Sequence, residues 1–329
     1  MKSLFIISLL VCFCGCSKPE RNHNSQSGIS VTDFRGKTVE LQKPAKRIVC
    51  LLESALSGIY MLHGQDAVIG VSTNIYSNNV FPYYAAIDER IKAKTLPTPG
   101  NWDFVNLESI VALHPDLVII WSSQTETIQN LESYHIPVYA VMIRGTTDIY
   151  KEITDFGILL DKHSRADSII DYTKKDLSAL IFQSPRTAKV YFMWSQGILE
   201  TSGTNSTVNE LIQAAGCVNV CQSTQEHLSI NIETLLAWNP EIILMWCNEK
   251  LDPADILSNP SLRSVRAVTD RKVYELPSQF ECDLWTLKFQ FVVKLLASYA
   301  HTGGTALDLH HEEAKMLAFL YGKDLTQPK

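Results

Sequence analysis

The chain has 329 residues, 46% of them hydrophobic, and 29 basic against 35 acidic side chains give a net charge of -6. That length supports two domains, each with its own core. Phosphate neutralisation needs clustered Lys and Arg, and the basic residues here form no stripe, which argues against nucleic acid as a partner.

The N-terminus carries Lys2, an apolar run from Leu4 to Cys14, and small residues ending at Gly15 and Cys16. This is the order of a secretory signal, and the run is too short for a permanent membrane span. Phe13-Cys14-Gly15-Cys16 resembles a bacterial lipobox, with Phe13 where Leu is usual, and predicts that Cys16 is the lipidated mature N-terminus. An ordinary signal peptide cut nearby is the alternative. The following segment, up to Gly28, is polar and without apolar periodicity, which suits a tether between anchor and body.

Past the tether, the period-two pattern from Val31 to Leu41 predicts a hairpin, and Arg47 to Leu52 the first buried strand. Further apolar strands are predicted at Val68 to Ser72, Leu117 to Trp121, Val138 to Ile143, Lys189 to Trp194, Ile242 to Trp246 and Lys272 to Leu276. Stretches with helical spacing lie between most of them, such as Leu107, Ile110 and Val111, and later Leu211, Ile212 and Ala215. Strands alternating with helices predict an α/β fold with parallel sheets. From Thr147 to Ser184 helical spacing is sustained, with one break expected near Asp161 to Ser164, so a helix is expected to join the two halves stiffly.

Residues 106–121 read NLESIVALHPDLVIIW and residues 231–246 read NIETLLAWNPEIILMW, with Asn, Glu, Ala, Pro and Trp identical at five of sixteen positions. Each copy encodes an Asn cap, a Glu in the first helical turn, an apolar helix, a turn with Pro and a strand ending in Trp. An offset of 125 residues is far longer than a solenoid repeat, so the recurrence predicts two similar lobes. The resulting division is a signal peptide at 1–16, a tether at 17–28, a first lobe at 29–146, an interlobe helix at 147–187, a second lobe at 188–300 and a tail at 301–329.

Five cysteines remain beyond the signal and anchor: Cys50, Cys217, Cys221, Cys247 and Cys282. The odd number and the lack of CxxC spacing indicate neither a disulfide framework nor a zinc knuckle. Cys217 and Cys221 are close enough in sequence to pair, but buried free thiols are expected. GxSxG, HExxH, Walker A and GxGxxG motifs are all missing, and no catalytic residue is assigned.

The segments VTDFRGKTVEL, KRIVCLLESAL, DAVIGVS, GNWDFVNLESIVALHPDLVI, TSGTNSTVNELIQAAGCVNV and NIETLLAWNPEII together resemble the periplasmic binding proteins of importers for ferric siderophores, haem, cobalamin and, in some branches, molybdate. The resemblance covers roughly residues 29–300. It implies two Rossmann-like lobes with parallel sheets joined by a long helix, of the class III, chelatase-like type. The implied role is a monomeric, lipid-anchored, exported substrate-binding component that captures a metal chelate and delivers it to an ABC permease and its ATPase. A ferric siderophore is the expected ligand, then cobalamin or haem, and no resident cofactor is implied. A related chelatase enzyme, or a binder of bare metal or molybdate, is the alternative. Leu52-Glu53-Ser54-Ala55 departs from the family's usual Ser-Pro and Thr-Glu after the first strand, and Gly216-Cys217-Val218-Asn219 from its Gly-Gly-x-Asn, so ligand identity does not carry over.

Ligands of α/β lobes sit beyond the C-terminal ends of the strands. The loops there carry Glu53, Ser54, Tyr76, Trp102, Trp121, Trp194, Trp246 and Trp285 as candidate ligand contacts. Flat, rigid aromatic faces suit a macrocycle or a catecholate; any one of these Trp residues alone belongs more readily to a core than to a ligand contact, and it is their clustering that marks the group. The resemblance points to Trp102 in particular, through cobalamin-binding relatives, and to His227, which some ferric-siderophore binders would present to the metal. Cys247 and Cys282 would add soft ligands only for a metal arriving without a chelator. Glu108 and Glu233, equivalent in the repeat, suit helix N-terminal stabilisation. By resemblance they would also pair with Arg residues of the permease.

Overall fold

Alternation along the buried strands determines how the layers assemble. The computed structural model describes residues 28–77, 79–180, 187–247, 250–301 and 308–326; the signal segment, Cys16 and the tether up to residue 27 lie outside them. Among the described residues twelve strands follow in order: β1 (Ile29–Thr32), β2 (Thr38–Leu41), β3 (Ile48–Cys50), β4 (Val68–Val71), β5 (Leu117–Trp121), β6 (Val138–Val141), β7 (Lys189–Met193), β8 (Glu200–Thr201), β9 (Val218–Asn219), β10 (Leu228–Ser229), β11 (Ile242–Met245) and β12 (Val273–Glu275). On β5, Leu117 and Ile119 face one core while Val118 and Ile120 face another. On β11, Ile242 and Leu244 likewise separate from Ile243 and Met245. Each parallel sheet therefore has two buried faces, which explains why its strands read as unbroken apolar runs.

The first sheet has the order β4-β3-β5-β6 and the second β9-β7-β11-β12, all parallel. Numbered within its own lobe, each sheet runs second, first, third, fourth strand, so the two lobes share one topology. The repeat seen in the sequence is the third strand of each lobe with the helix before it. Asn106 caps the helix Leu107–Ala112 by accepting from Ser109 N, and Asn231 caps Ile232–Trp238 by accepting from Thr234 N. Both units then pass through a left-handed residue before Pro, His114 at φ 48° and Asn239 at φ 45°. The inner faces of both sheets belong to one continuous apolar core.

The segment joining the lobes forms two helices, Thr146–Leu159 and His163–Ser178, with Asp161 left-handed between them. A Cβ on Gly157 would lie 2.7 Å from that of Ala166, so only glycine permits this close turn. The second helix touches the first lobe at its start, where Arg165 Nε donates to Met61 O at 3.0 Å. At its other end it meets the second lobe: Gln290 donates to Thr173 Oγ1 at 3.0 Å, and Asp176 pairs with Lys294 at 2.5 Å.

Residues 301–329, read from sequence as a tail, contain a helix, Leu309–Tyr321, that makes a second strut. Tyr321 shares a 2.5 Å hydrogen bond with Ser57 of the first lobe, while Glu312 pairs with Lys294 of the second. Among the described residues Cys50, Cys217, Cys221, Cys247 and Cys282 are all free thiols, and Cys217 and Cys221 are not bonded to each other.

Candidate binding site in the interlobe cleft

Side chains alternate along a strand, so the residue two past an inward-facing one continues the same column. Trp194 follows Phe192 of β7 in this way, and Trp246 follows Leu244 of β11; both belong to the shared core and stand at the C-terminal end of their strands. These strands, like β3 and β5, are neighbours at the point where the sheet order reverses, the place where open α/β sheets bind ligands.

A cavity of about 290 Å³ opens there between the lobes. Glu53, Ser54, Asn74, Ser77, Val80, Tyr84 and Trp102 line it from the first lobe, and Trp246, Gln279, Phe280, Asp283, Trp285 and Lys288 from the second. Trp194 lies behind Trp285, the rings stacked with centroids 6.1 Å apart and planes at 5°. Trp246 meets Trp194 at 5.7 Å and Trp285 at 5.8 Å, so three indoles form one wall. Trp194 Nε1 donates to Ser202 Oγ at 2.9 Å, which satisfies its polar atom inside the core.

Opposite stands Trp102, 56% exposed on a tight loop. Gly100 makes that loop possible: at φ 155° its missing Cβ would meet Phe104 O at 2.3 Å. Asn101 Oδ1 then accepts from the amides of Asp103 and Phe104, both at 2.8 Å, and Gln124 Nε2 donates to Trp102 O at 2.5 Å. The exposed ring thus sits on a well-anchored backbone.

The floor is charged. Glu53 Oε1 accepts from buried Ser72 at 2.9 Å. Asp283 Oδ1 accepts from Trp285 N at 3.1 Å, and burial raises its carboxyl above the ordinary range despite Lys288 nearby. Lys288 Nζ is 4.0 Å from Asp283 Oδ2 and 3.7 Å from the Phe280 ring centroid. Burial draws Lys288 down to about 8, while the carboxylate of Asp283 works in the opposite direction.

The lobes also touch beside this floor. Tyr83 donates to Glu281 at 2.7 Å and stacks on Phe280 at 4.3 Å. Elsewhere Glu210 accepts from Thr146 N at 2.6 Å and from its hydroxyl at 2.8 Å, capping the helix that begins the linking segment.

Of the residues singled out by sequence, Glu53, Ser54, Trp102, Trp246 and Trp285 line the cavity, and Trp194 backs its wall. His227 does not reach the lining: its ring stacks on Trp194 at 5.7 Å, and its Nε2 lies 3.1 Å from Glu200. Tyr76 is directed elsewhere, its hydroxyl donating to Leu96 O at 3.1 Å and its ring lying against Phe81. Trp121 ends β5 as Trp246 follows β11, but it packs half-buried on the shared core without lining the cavity. Among the described residues no three His, Cys, Asp or Glu side chains converge into a metal site. Sequence reasoning passed over Asp283 and Lys288. The available signal was two charges in Cys282-Asp283-Leu284-Trp285-Thr286-Leu287-Lys288, directly before the largely apolar helix Phe289–Ala300.

Two parallel-sheet lobes with an aromatic-walled cleft at their switch points define a two-lobed ligand-binding protein. The chain belongs to the periplasmic binding protein family, whose model matches residues 48–280. It is 22% identical over 272 residues to the molybdate-binding protein MolA of Haemophilus influenzae, covering 75% of this chain and 77% of that one. To YvrC of Bacillus subtilis, an uncharacterized ABC transporter substrate-binding lipoprotein, it is 22% identical, covering 81% and 86%. To a vitamin B12-binding protein of Vibrio parahaemolyticus the identity is 24%, covering 61% and 70%. In fold it is similar to a periplasmic solute-binding protein from Veillonella parvula, at a TM-score of 0.72 and 24% identity, over 91% of this chain and 94% of the other. It is thus a substrate-binding component of an ABC importer, of a family that is exported. No helix among the described residues is long and apolar enough to cross a membrane.

Proposed function

We propose that the cleft captures a metal chelate, a ferric siderophore foremost and cobalamin or haem next, and delivers it to a membrane permease, with the chain held at the membrane by a lipid on Cys16. The observation that carries this reading is the cavity itself: Trp102 of one lobe faces Trp246 and Trp285 of the other, with Trp194 stacked behind them. Rigid indole faces supply dispersion and stacking at little conformational cost, as a flat macrocycle or catecholate requires. Its volume of about 290 Å³ falls just short of the range of about 300–1,000 Å³ usual for organic-ligand pockets.

Native mass spectrometry of protein purified from its own host tests this reading. A co-purifying iron or cobalt complex is the expected result. Calorimetric titration with a ferric tris-catecholate, a ferric trihydroxamate, haemin and cyanocobalamin complements it, and binding of none of the four would overturn the reading. The similarity to MolA favours a second reading, a tetrahedral metal oxyanion, and molybdate belongs in the same titration.

A further inference from the structure

Lys288 stands out among the cavity residues because its surroundings do not satisfy it. The residue is fully buried and lines the cavity, yet its Nζ has no hydrogen-bond partner among the described residues. Asp283 Oδ2, at 4.0 Å, is beyond hydrogen-bond reach, and the Phe280 face at 3.7 Å offers attraction but no lone pair. An ammonium has three donors, and leaving them unmet out of water is costly, more so for a charge than for a neutral group. Buried polar atoms in native proteins are normally paired, and of those left unpaired among the described residues Lys288 Nζ is the one whose residue lines this cavity, which points to the ligand as the missing partner.

The neighbouring acids do not fill that place. One oxygen of Glu53 is engaged by Ser72 and one of Asp283 by Trp285 N, while Glu281 is held by Tyr83 and Ser278. What relieves Lys288 best is an oxygen bearing negative charge, since charge-assisted hydrogen bonds are about twice as strong as neutral ones. Burial draws its pKa down to about 8, the direction expected of a charge that its protein neighbours leave poorly supported.

We propose that Lys288 determines the specificity of the cleft, donating from its ammonium to an anionic oxygen of the ligand, so that negatively charged ligands are selected over uncharged ones. This deepens the reading of the cleft as a chelate site and rests on it. Within that reading it favours catecholate complexes and carboxylate-bearing tetrapyrroles over cobalamin and neutral hydroxamate complexes. The oxygen sits either on the metal or on a peripheral carboxylate, and the two sources separate in the test.

The test is calorimetry on the wild type, K288M and K288R with ferric tris-catecholate, haemin, molybdate, ferric trihydroxamate and cyanocobalamin. The wild type should bind at least one charged ligand tenfold or more tighter than the uncharged pair. K288M should lose at least tenfold on that ligand and nothing on uncharged ones, and K288R should retain most of the affinity. Preference for ferric tris-catecholate or molybdate places the oxygen on the metal, and preference for haemin places it on a peripheral carboxylate. Should K288M fail to fold, as judged by its thermal melt, K288Q replaces it. Uncharged complexes bound as tightly as charged ones, unchanged affinity for charged ligands in K288M or its substitute K288Q, or no binding of any charged ligand would each overturn the proposal. Tight binding of uncharged chelates, insensitive to Lys288, would do so while leaving the chelate reading intact. Molybdate binding alone, lost in K288M, would instead remove the chelate reading and keep the role of Lys288.

Discussion

Trp102 is the most exposed aromatic of the cavity lining, and its backbone is held by Asn101 and Gln124 whatever the side chain does. Replacing it by Ala should therefore remove stacking without reshaping the loop. We expect W102A to weaken ligand binding by about 1–3 kcal/mol, the usual cost of losing an aromatic anchor. Titration of the co-purified ligand against both proteins checks this, and equal affinities would take Trp102 out of the site. Lys288 makes a different kind of prediction, on stability. Its pKa falls from an ordinary 10.5 to about 8 in the fold, so between those values the unfolded chain binds more protons than the native one. The resulting penalty is in full force below pH 8 and fades as the pH rises towards 10.5. Relative to K288M, the wild type should thus gain about 2 kcal/mol of stability between pH 7 and pH 10, at about 1.4 kcal/mol per pK unit. Urea melts of both proteins across that range measure it, and a difference independent of pH would show that Lys288 is not strained by burial.

Among the elements, those with local causes were legible in the sequence and those held by distant partners were not. The helix after Asn106 and that after Asn231 could be read because cap, apolar stripe and Pro lie within sixteen residues, and the fold reproduces both units down to the left-handed residue before Pro. The strands were visible through their apolar runs, except β8, β9 and β10, whose two residues each hold no period. The helix Leu309–Tyr321 escaped because its place depends on Ser57 and Arg165, far away in the chain. The cavity was half legible for the same reason: tryptophans at strand ends announce themselves, whereas the role of Lys288 appears only once Phe280 and Asp283 surround it. Arg165 shows what such distant contacts contribute. Its guanidinium donates to Met61 O at 3.0 Å, to Phe319 O at 2.7 Å and to Leu320 O at 2.9 Å, serving the last turns of two helices at once. Hydrogen bonds from a charged donor contribute about 1.5–3 kcal/mol. R165M should lose at least that much in a chemical melt, with early loss of protection from hydrogen exchange in the C-terminal helix; a melt like that of wild type would show that the strut is held by its apolar face alone.

At the scale of the whole molecule, two struts, a continuous apolar core and the Tyr83–Glu281 and Thr146–Glu210 contacts tie the lobes together. Ligand binding should accordingly close the cleft only slightly, and small-angle scattering should show no large fall in radius of gyration. A body this stiff has a consequence for transport, because what the permease meets is a fixed pair of lobe rims. In each lobe the repeated helix runs back along the strand that follows it, so its N-terminus lies at the strand's C-terminal edge, the edge that bounds the cleft. Glu108 and Glu233 occupy the first turns of these helices and both are exposed. The shared topology thus presents one carboxylate on the rim of each lobe, and we propose that a permease with two-fold symmetry reads the pair with both halves. A single exposed ion pair contributes about 0–1 kcal/mol, too little to hold the complex. Two engaged together raise the effective concentration of the second contact, and the stiffness of the struts preserves their spacing. We therefore expect E108A and E233A each to slow uptake modestly in liposomes bearing the importer, and the double variant to abolish it, with ligand affinity unchanged in all three. Uptake by the double variant at the wild-type rate would show that these carboxylates act only on their own helices.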